Sequence, residues 1–169
     1  MTEIRAPRPE DVPAVTQMMN LPGVREGTLR LPYTPESFAR GRLLEPGPGV
    51  YPLIAARDGQ PVGYGALMRR SGRQAHMAEL VLFVHDDHWG QGIGTALLAA
   101  LIDLADNWLG LLRLQLEVDP DNRGALHLYQ KMGFETEGLV RGDTLTNGVL
   151  TDSVIMGRLR PAPTRKAEP

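Results

Sequence analysis

Apolar residues recur along the chain with two periods, and their alternation predicts the elements. Thr2–Ala6 reads as a short strand. Glu10–Asn20 carries Val12, Val15, Met18 and Met19 at helical spacing, with Pro13 in the first turn, where no amide is needed. LPGVREGTLRLPY (residues 21–33) shows no such period and reads as a loop. Thr34-Pro35 then supplies an N-cap and first helical residue for a helix to about Leu44, broken by EPGPG at 45–49. VYPLIAAR and PVGYGALMRR flank Asp58-Gly59 as a hairpin, and AHMAELVLFVH follows the SGRQ turn as a further strand. Ile93, Leu97, Leu101, Leu104 and Trp108 mark the stripe of a long helix. LRLQLEV (112–118) alternates, with Leu112, Leu114, Leu116 and Val118 on one face and Arg113, Gln115 and Glu117 on the other. A short helix, RGALHLYQKM, ends at Gly133, and Asn147-Gly148 joins two last strands.

The predicted order is β-α-α-β-β-β-α-β-α-β-β. Hairpins in the middle and at the end exclude a purely parallel sheet. The expected class is therefore α/β, with a mixed, mostly antiparallel central sheet of about seven strands flanked by helices. At 169 residues and 42% hydrophobic content, residues 1–160 fit a single domain, while 161–169, in the Pro- and charge-rich tail RPAPTRKAEP, read as disordered. A net charge of −2 gives no basic field for nucleic acid or an anionic membrane, so neither partner is expected. No apolar run is long enough to span a bilayer, and MTEIRAPRPED lacks the apolar core of a signal peptide. The chain has no cysteine, which excludes disulfides, thiolate zinc sites and a cysteine nucleophile and agrees with a cytoplasmic setting.

The stretch HDDHWGQGIGTALLAAL places Gly90, Gly92 and Gly94 directly before the long helix. A helix N-terminus carries unpaired N–H groups and partial positive charge, and glycines let that backbone close around an anion. The chemical reading is a phosphate or pyrophosphate cradle; the plain alternative is a tight strand-to-helix turn. The dinucleotide fingerprint is out of register, since its third small residue falls on Thr95 or Leu97, and no Gly-Lys-Ser/Thr follows as in a P-loop. His85 and His88 flank Asp86 and Asp87, but the segment has turn composition and no fourth ligand of clear origin, so no metal is expected.

LVLFVHDDHWGQGIGTALL resembles the acetyl-CoA site of the GCN5-related N-acetyltransferase (GNAT) superfamily. That family's Arg/Gln-x-x-Gly-x-Gly/Ala is met here by Trp89-Gly90-Gln91-Gly92-Ile93-Gly94, with Trp89 where the family has Arg or Gln. DNRGALHLYQKMGF looks like its second signature, with Asn122, Ala125, Tyr129, Gly133 and Phe134 in register. Residues 2–160 are most similar in look to the bacterial amino-acid N-acetyltransferases of the superfamily.

The resemblance implies a GNAT fold and an enzyme that moves the acetyl group of acetyl-CoA, its co-substrate, to a primary amine of a small molecule such as an amino acid, by direct attack in a ternary complex. Acceptance by a protein N-terminus or lysine, and a non-catalytic acyl-CoA-binding domain, are the alternatives. It also implies that Trp89, Gly90, Gln91, Gly92, Ile93, Gly94 and Thr95 cradle the pyrophosphate, leaning on backbone N–H groups. The backbone of Leu82, Phe83 and Val84, freed where two strands splay, is expected to pair with pantetheine and to stabilise the oxyanion near Leu82. Asn122 is expected either to bind pantetheine or to serve only as an N-cap. Tyr129 is the candidate acid for the leaving thiolate, its alternative being a packed core tyrosine. Glu79 is the candidate base, with His76 in support, its alternative being an exposed strand face. Arg30 and Tyr33, with Arg25 and Glu26, are candidates for the acceptor; Arg30 suits a carboxylate, or is a surface charge. The family's frequent dimers make a homodimer the expected assembly.

Overall fold

Antiparallel pairing dominates the computed structural model, which describes residues 1–161. Strands β1 (Glu3–Arg5), β2 (Val50–Arg57), β3 (Gln60–Arg69), β4 (Met77–Val84), β5 (Arg113–Val118), β6 (Glu135–Thr146) and β7 (Val149–Leu159) form one sheet in the order β1-β2-β3-β4-β5-β7-β6. Only β4 and β5 run parallel, and they are the one pair that needs a long crossover. The hairpin turns lie where the chain has Asp58-Gly59 and Asn147-Gly148, each with positive φ at both residues (49° and 78°; 50° and 80°), as the twist of a two-residue hairpin requires.

Helices α1 (Val12–Met19), α2 (Pro22–Glu26) and α3 (Glu36–Leu44) cover one face of the sheet, and α4 (Ile93–Asp103) and α5 (Arg123–Lys131) the other. Val12, Val15, Met18 and Met19 of α1 join Ala39 and Leu43 of α3 over Ile54, Tyr64, Ala66 and Phe83. On the opposite side Leu97, Leu98 and Leu101 of α4 pack with Leu80, Leu114, Leu116, Tyr129 and Phe134. Helix α4 lies close on β3 because Gly65 has no side chain: a Cβ there would sit 2.7 Å from Leu101 Cδ1.

Three expectations need correction. Residues 21–33 are not all loop, since Pro22–Glu26 form α2. This short helix is held from 63 residues away, where Asp86 Oδ2 accepts the Gly23 amide at 2.9 Å, and a charge at a helix N-terminus offsets its unpaired donors. The residue capping α3 is Pro35 rather than Thr34, and its side chain gives no cap. The long helix leaves α-geometry after Asp103. A wide turn follows over Leu104–Trp108, with the Leu109 amide donating to Leu104 O at 3.0 Å, and it rotates Trp108 off the apolar stripe into solvent while Ala105 takes the core position. The same turn presents Asp106 to β7, where Arg158 holds it through two bonds of 2.9 and 2.8 Å.

The N-terminal edge is fastened by a buried charge pair. Arg5 grips Asp11 through bonds of 2.7 and 2.8 Å, and the Arg8 amide donates to the same carboxylate at 2.7 Å. Burial pushes the Asp11 carboxyl up, but the Arg5 fork and the Arg8 amide together hold it below the usual carboxylate range. Asp11→Ala should therefore cost about 3–5 kcal/mol in urea unfolding at neutral pH, because it strands a half-buried guanidinium. With the native carboxyl depressed, the pair stabilises above the ordinary carboxylate pKa of about 4 and its contribution is lost as pH falls below it. The gap in urea midpoint between wild type and the variant should narrow on going from neutral pH to about pH 3.

Candidate active site

Strands β4 and β5 share only three paired positions, Met77 with Arg113, Ala78 with Leu114 and Glu79 with Gln115, and then part. Strand β3 stays paired with β4 throughout. The His85 amide donates to Val62 O at 2.9 Å, and the Arg70 amide to Met77 O at 3.0 Å. In an antiparallel ladder such residues alternate, so the odd-numbered residues of β4 spend their backbone on β3. Leu82 and Val84 therefore turn N–H and C=O toward the gap that β5 has left. Phe83 gives its backbone to β3, so of the three strand residues assigned to pantetheine Leu82 offers both backbone groups and Val84 its N–H, the Val84 carbonyl being held by the Trp89 indole. The gap opens into one continuous cleft of about 970 Å³ that runs from the glycine turn to the β5–β7 side.

At one end of the cleft the chain turns into α4. Gly90 and Gly92 take φ of 71° and 79°, values that side chains resist, and a Cβ on either would meet nothing within 4 Å. Their backbone conformation, and not contact with another part of the chain, requires glycine. Gly94 has a different cause: its Cβ would press on Leu128 Cδ2 at 3.2 Å, so it sets how closely α5 packs on α4. Among the described residues, the amides from Gly90 to Thr95 find no acceptor in the chain, and the Ala96 amide is the first to close a helical turn, on Gly92 O. A row of free donors at a helix N-terminus suits a pyrophosphate.

Trp89 does not face that row as a donor. Its Nε1 donates to Val84 O at 2.9 Å, and its ring lies on Gly23, where a Cβ would collide with Trp89 Cη2. The indole thus ties the strand end to α2. Gln91 also turns aside: its amide nitrogen donates to Asp87 O at 3.2 Å, and Arg57 of β2 holds its side-chain oxygen and, at 3.3 Å, its carbonyl.

Tyr129 lies on the wall between the two ends, buried to 7% exposure, its ring edge-on to Phe134 at 5.7 Å. Burial pushes the phenol up to about 12, so it stays protonated at neutral pH. Its hydroxyl has no hydrogen-bond partner among the described residues. Asn122 caps α5, its Oδ1 accepting the Ala125 amide at 3.1 Å, and the same residue lines the cleft, so its side-chain NH2 remains available.

Glu79 lines the far end, half-exposed and paired with Arg70. Sequence reasoning missed a second carboxylate there. Glu117, on the polar face of β5, lines the same wall, and burial, with the nearby Asp143 and Glu79 charges, pushes its carboxyl up. The alternation of LRLQLEV already placed Glu117 opposite the apolar set; what the sequence lacked was the parting of β4 and β5 that turns this face into a cleft wall. Arg30 and Glu26 line the cleft, but Arg25 and Tyr33 do not, and Tyr33 stands in solvent at 93% exposure. His76 lies off the cleft, before the start of β4, where its carbonyl accepts the Leu112 amide at 2.8 Å; it is not positioned to assist Glu79.

The profile of the Acetyltransferase (GNAT) family matches residues 17–134 of the chain. Over 159 residues the chain is 33% identical to the L-amino acid N-acetyltransferase AaaT of Escherichia coli (strain K12), covering 93% of this chain and 97% of that protein. Spermidine N(1)-acetyltransferase of the same strain is 30% identical over 104 residues, 62% of this chain and 55% of that one. The fold is that of the GNAT superfamily phosphinothricin acetyltransferase (Pat) from Sinorhizobium meliloti in complex with AcCoA, with a TM-score of 0.83 at 23% identity over 99% of this chain and 96% of that one. With the family profile spanning most of its length, a relative matched nearly end to end, and a cleft that joins free helix-terminal amides to an unpaired strand edge, the chain belongs to the GNAT family and is an acetyl-CoA-dependent N-acetyltransferase.

Proposed function

We propose that the protein acetylates the primary amine of a small molecule, an amino acid first among them, by direct attack in a ternary complex in the cytoplasm. The observation that carries this reading is the single cleft that connects the glycine cradle, past Leu82 and Tyr129, to the carboxylates Glu79 and Glu117. A relative named for L-amino acids and another named for spermidine support a small amine as acceptor.

Acetyl-CoA supplies an activated acyl carbon and a thiolate leaving group. The amides from Gly90 to Thr95 take its pyrophosphate, and the edge of Leu82 and Val84 takes the arm that leads to the acyl group. As the amine nitrogen bonds to the acyl carbon, charge develops on the acyl oxygen, and the Leu82 N–H is the donor aimed into that space. The carbon–sulfur bond then breaks, and the Tyr129 hydroxyl donates to the departing sulfur. With a phenol near 12 and a thiol near 8.5, complete proton transfer from tyrosine is uphill, so its main contribution is a hydrogen bond to the thiolate until the proton released by the amine arrives.

The acceptor arrives as an ammonium at neutral pH and must lose a proton before its nitrogen can attack. Glu117 suits this better than Glu79, because a carboxylate of raised proton affinity is a stronger base, while Glu79 is already engaged by Arg70. Glu79 then acts through its charge, which helps keep Glu117 basic.

Tyr129→Phe keeps the ring and should lower kcat about a hundredfold while leaving the affinity for acetyl-CoA intact; full activity across pH would remove the acid role. Glu117→Gln should lower kcat/KM about 10²- to 10⁴-fold. Glu79→Gln should shift the acidic limb of the pH–rate profile downward, since removing a neighbouring negative charge lowers the Glu117 carboxyl. Loss of activity in Glu79→Gln with little in Glu117→Gln would return the base to Glu79. Gly92→Val forces a branched residue into positive φ and should weaken acetyl-CoA binding about tenfold or more by calorimetry.

A further inference from the structure

Two arginines in the cleft are paired with no carboxylate among the described residues. Arg30 follows α2 and Arg42 lies in α3, and both line the cavity on the α1–α3 side. Among the described residues neither forms an ion pair, although other arginines of the fold, such as Arg5, Arg70, Arg113 and Arg158, do. The Arg30 Nε is buried with no hydrogen-bond partner, which is costly for a charged donor. Among the described residues the only side-chain polar contact of Arg42 is a weak one, Nη1 to Met68 Sδ at 3.6 Å.

The two guanidiniums are held together by one aromatic ring. Arg30 Cζ lies 4.7 Å from the centroid of Phe38 and Arg42 Cζ 5.4 Å from it, and Phe83 lies 5.8 Å from Arg30 on a further side. Cation–π attraction fixes their position without neutralising them. Burial and the facing Arg42 charge both weaken the hold of Arg30 on its proton. Two like charges kept half-buried, pre-oriented and unpaired are an arrangement that a bound anion would relieve. The planar fork of each suits a carboxylate.

We propose that Arg30 and Arg42 form the seat of the acceptor's carboxylate, so that the acceptor is a zwitterionic amino acid and not a polyamine or other polycation. The inference rests on the acetyltransferase reading and names its substrate class. The cleft is dipolar: the arginines make a cationic pole, and Glu79 and Glu117 an acidic pole that receives the amine. A polycation would find the second pole but would be repelled by the first. Phe38, Met68, Val81 and Phe83 beside the seat favour an apolar side chain on the amino acid.

Thiol release at saturating acetyl-CoA would be measured with the proteinogenic L-amino acids, the carboxamide of each, and spermidine. The best amino acid should exceed its own carboxamide by about tenfold to a hundredfold in kcat/KM, the worth of one or two charge-assisted hydrogen bonds. Arg30→Gln and Arg42→Gln should each bring that acid-over-amide preference down toward unity, while the rise in melting temperature with acetyl-CoA shows that the fold and the donor site persist. A carboxamide as good as its acid, spermidine as the best acceptor, or an undiminished preference in both variants would overturn the seat and leave the acetyltransferase intact. Thiol release with none of these amines would overturn the acetyltransferase reading and the seat with it.

Discussion

A buried strand edge with unpaired N–H and C=O groups is expensive, and this fold contains one by design. Strand β4 pairs with β3 along its whole length, yet loses β5 after Glu79. Each backbone group left there must find water or a ligand. The separation is sustained by what lies on either side. Helix α4 grips β3 and β4 through the close approach at Gly65, and β5 is drawn the other way by its pairing with β7 over six residues, from Arg113 to Val118. Everything the site does follows from that gap: Leu82 faces it, Tyr129 and Asn122 border it from α5, and Glu79 and Glu117 stand where it begins.

The electrostatics are arranged along the same gap. Free amides at the start of α4 make one end receptive to anionic oxygen. Carboxylates gather at the parting of the strands, where burial first, and the neighbouring Asp143 and Glu79 charges after it, raise the proton affinity of Glu117. Several charges elsewhere are matched, Asp11 with Arg5, Asp106 with Arg158 and Glu137 with Arg113. Where matching fails, at Arg30 and Arg42, the cavity wall is the location.

Much of this was legible in the sequence because it depends on local chemistry. Asp58-Gly59 and Asn147-Gly148 specify their turns, the alternation in LRLQLEV specifies its buried face, and two spaced motifs identify the superfamily. What was not legible depends on residues far apart in the chain. Helix α2 forms from an apparently aperiodic stretch because Asp86 caps it and Trp89 covers Gly23. The departure of Trp89 from the family pattern has its reason in the same contact, since the indole serves α2 and the Val84 carbonyl. The role of Glu117 required knowing which way β5 turns from β4. His76 was drawn in by sequence proximity to Glu79, but it precedes β4 by one residue and lies off the cleft.

On the proposed reading, the chain holds acetyl-CoA with backbone groups of the parted β4 edge and the turn before α4. Hydrogen exchange read by mass spectrometry reports those groups directly. Addition of acetyl-CoA should slow exchange at the Leu82 amide and at the amides from Gly90 to Thr95, with little change in β1 or the β6–β7 hairpin. Binding that leaves these amides exchanging at their free rates would contradict the account.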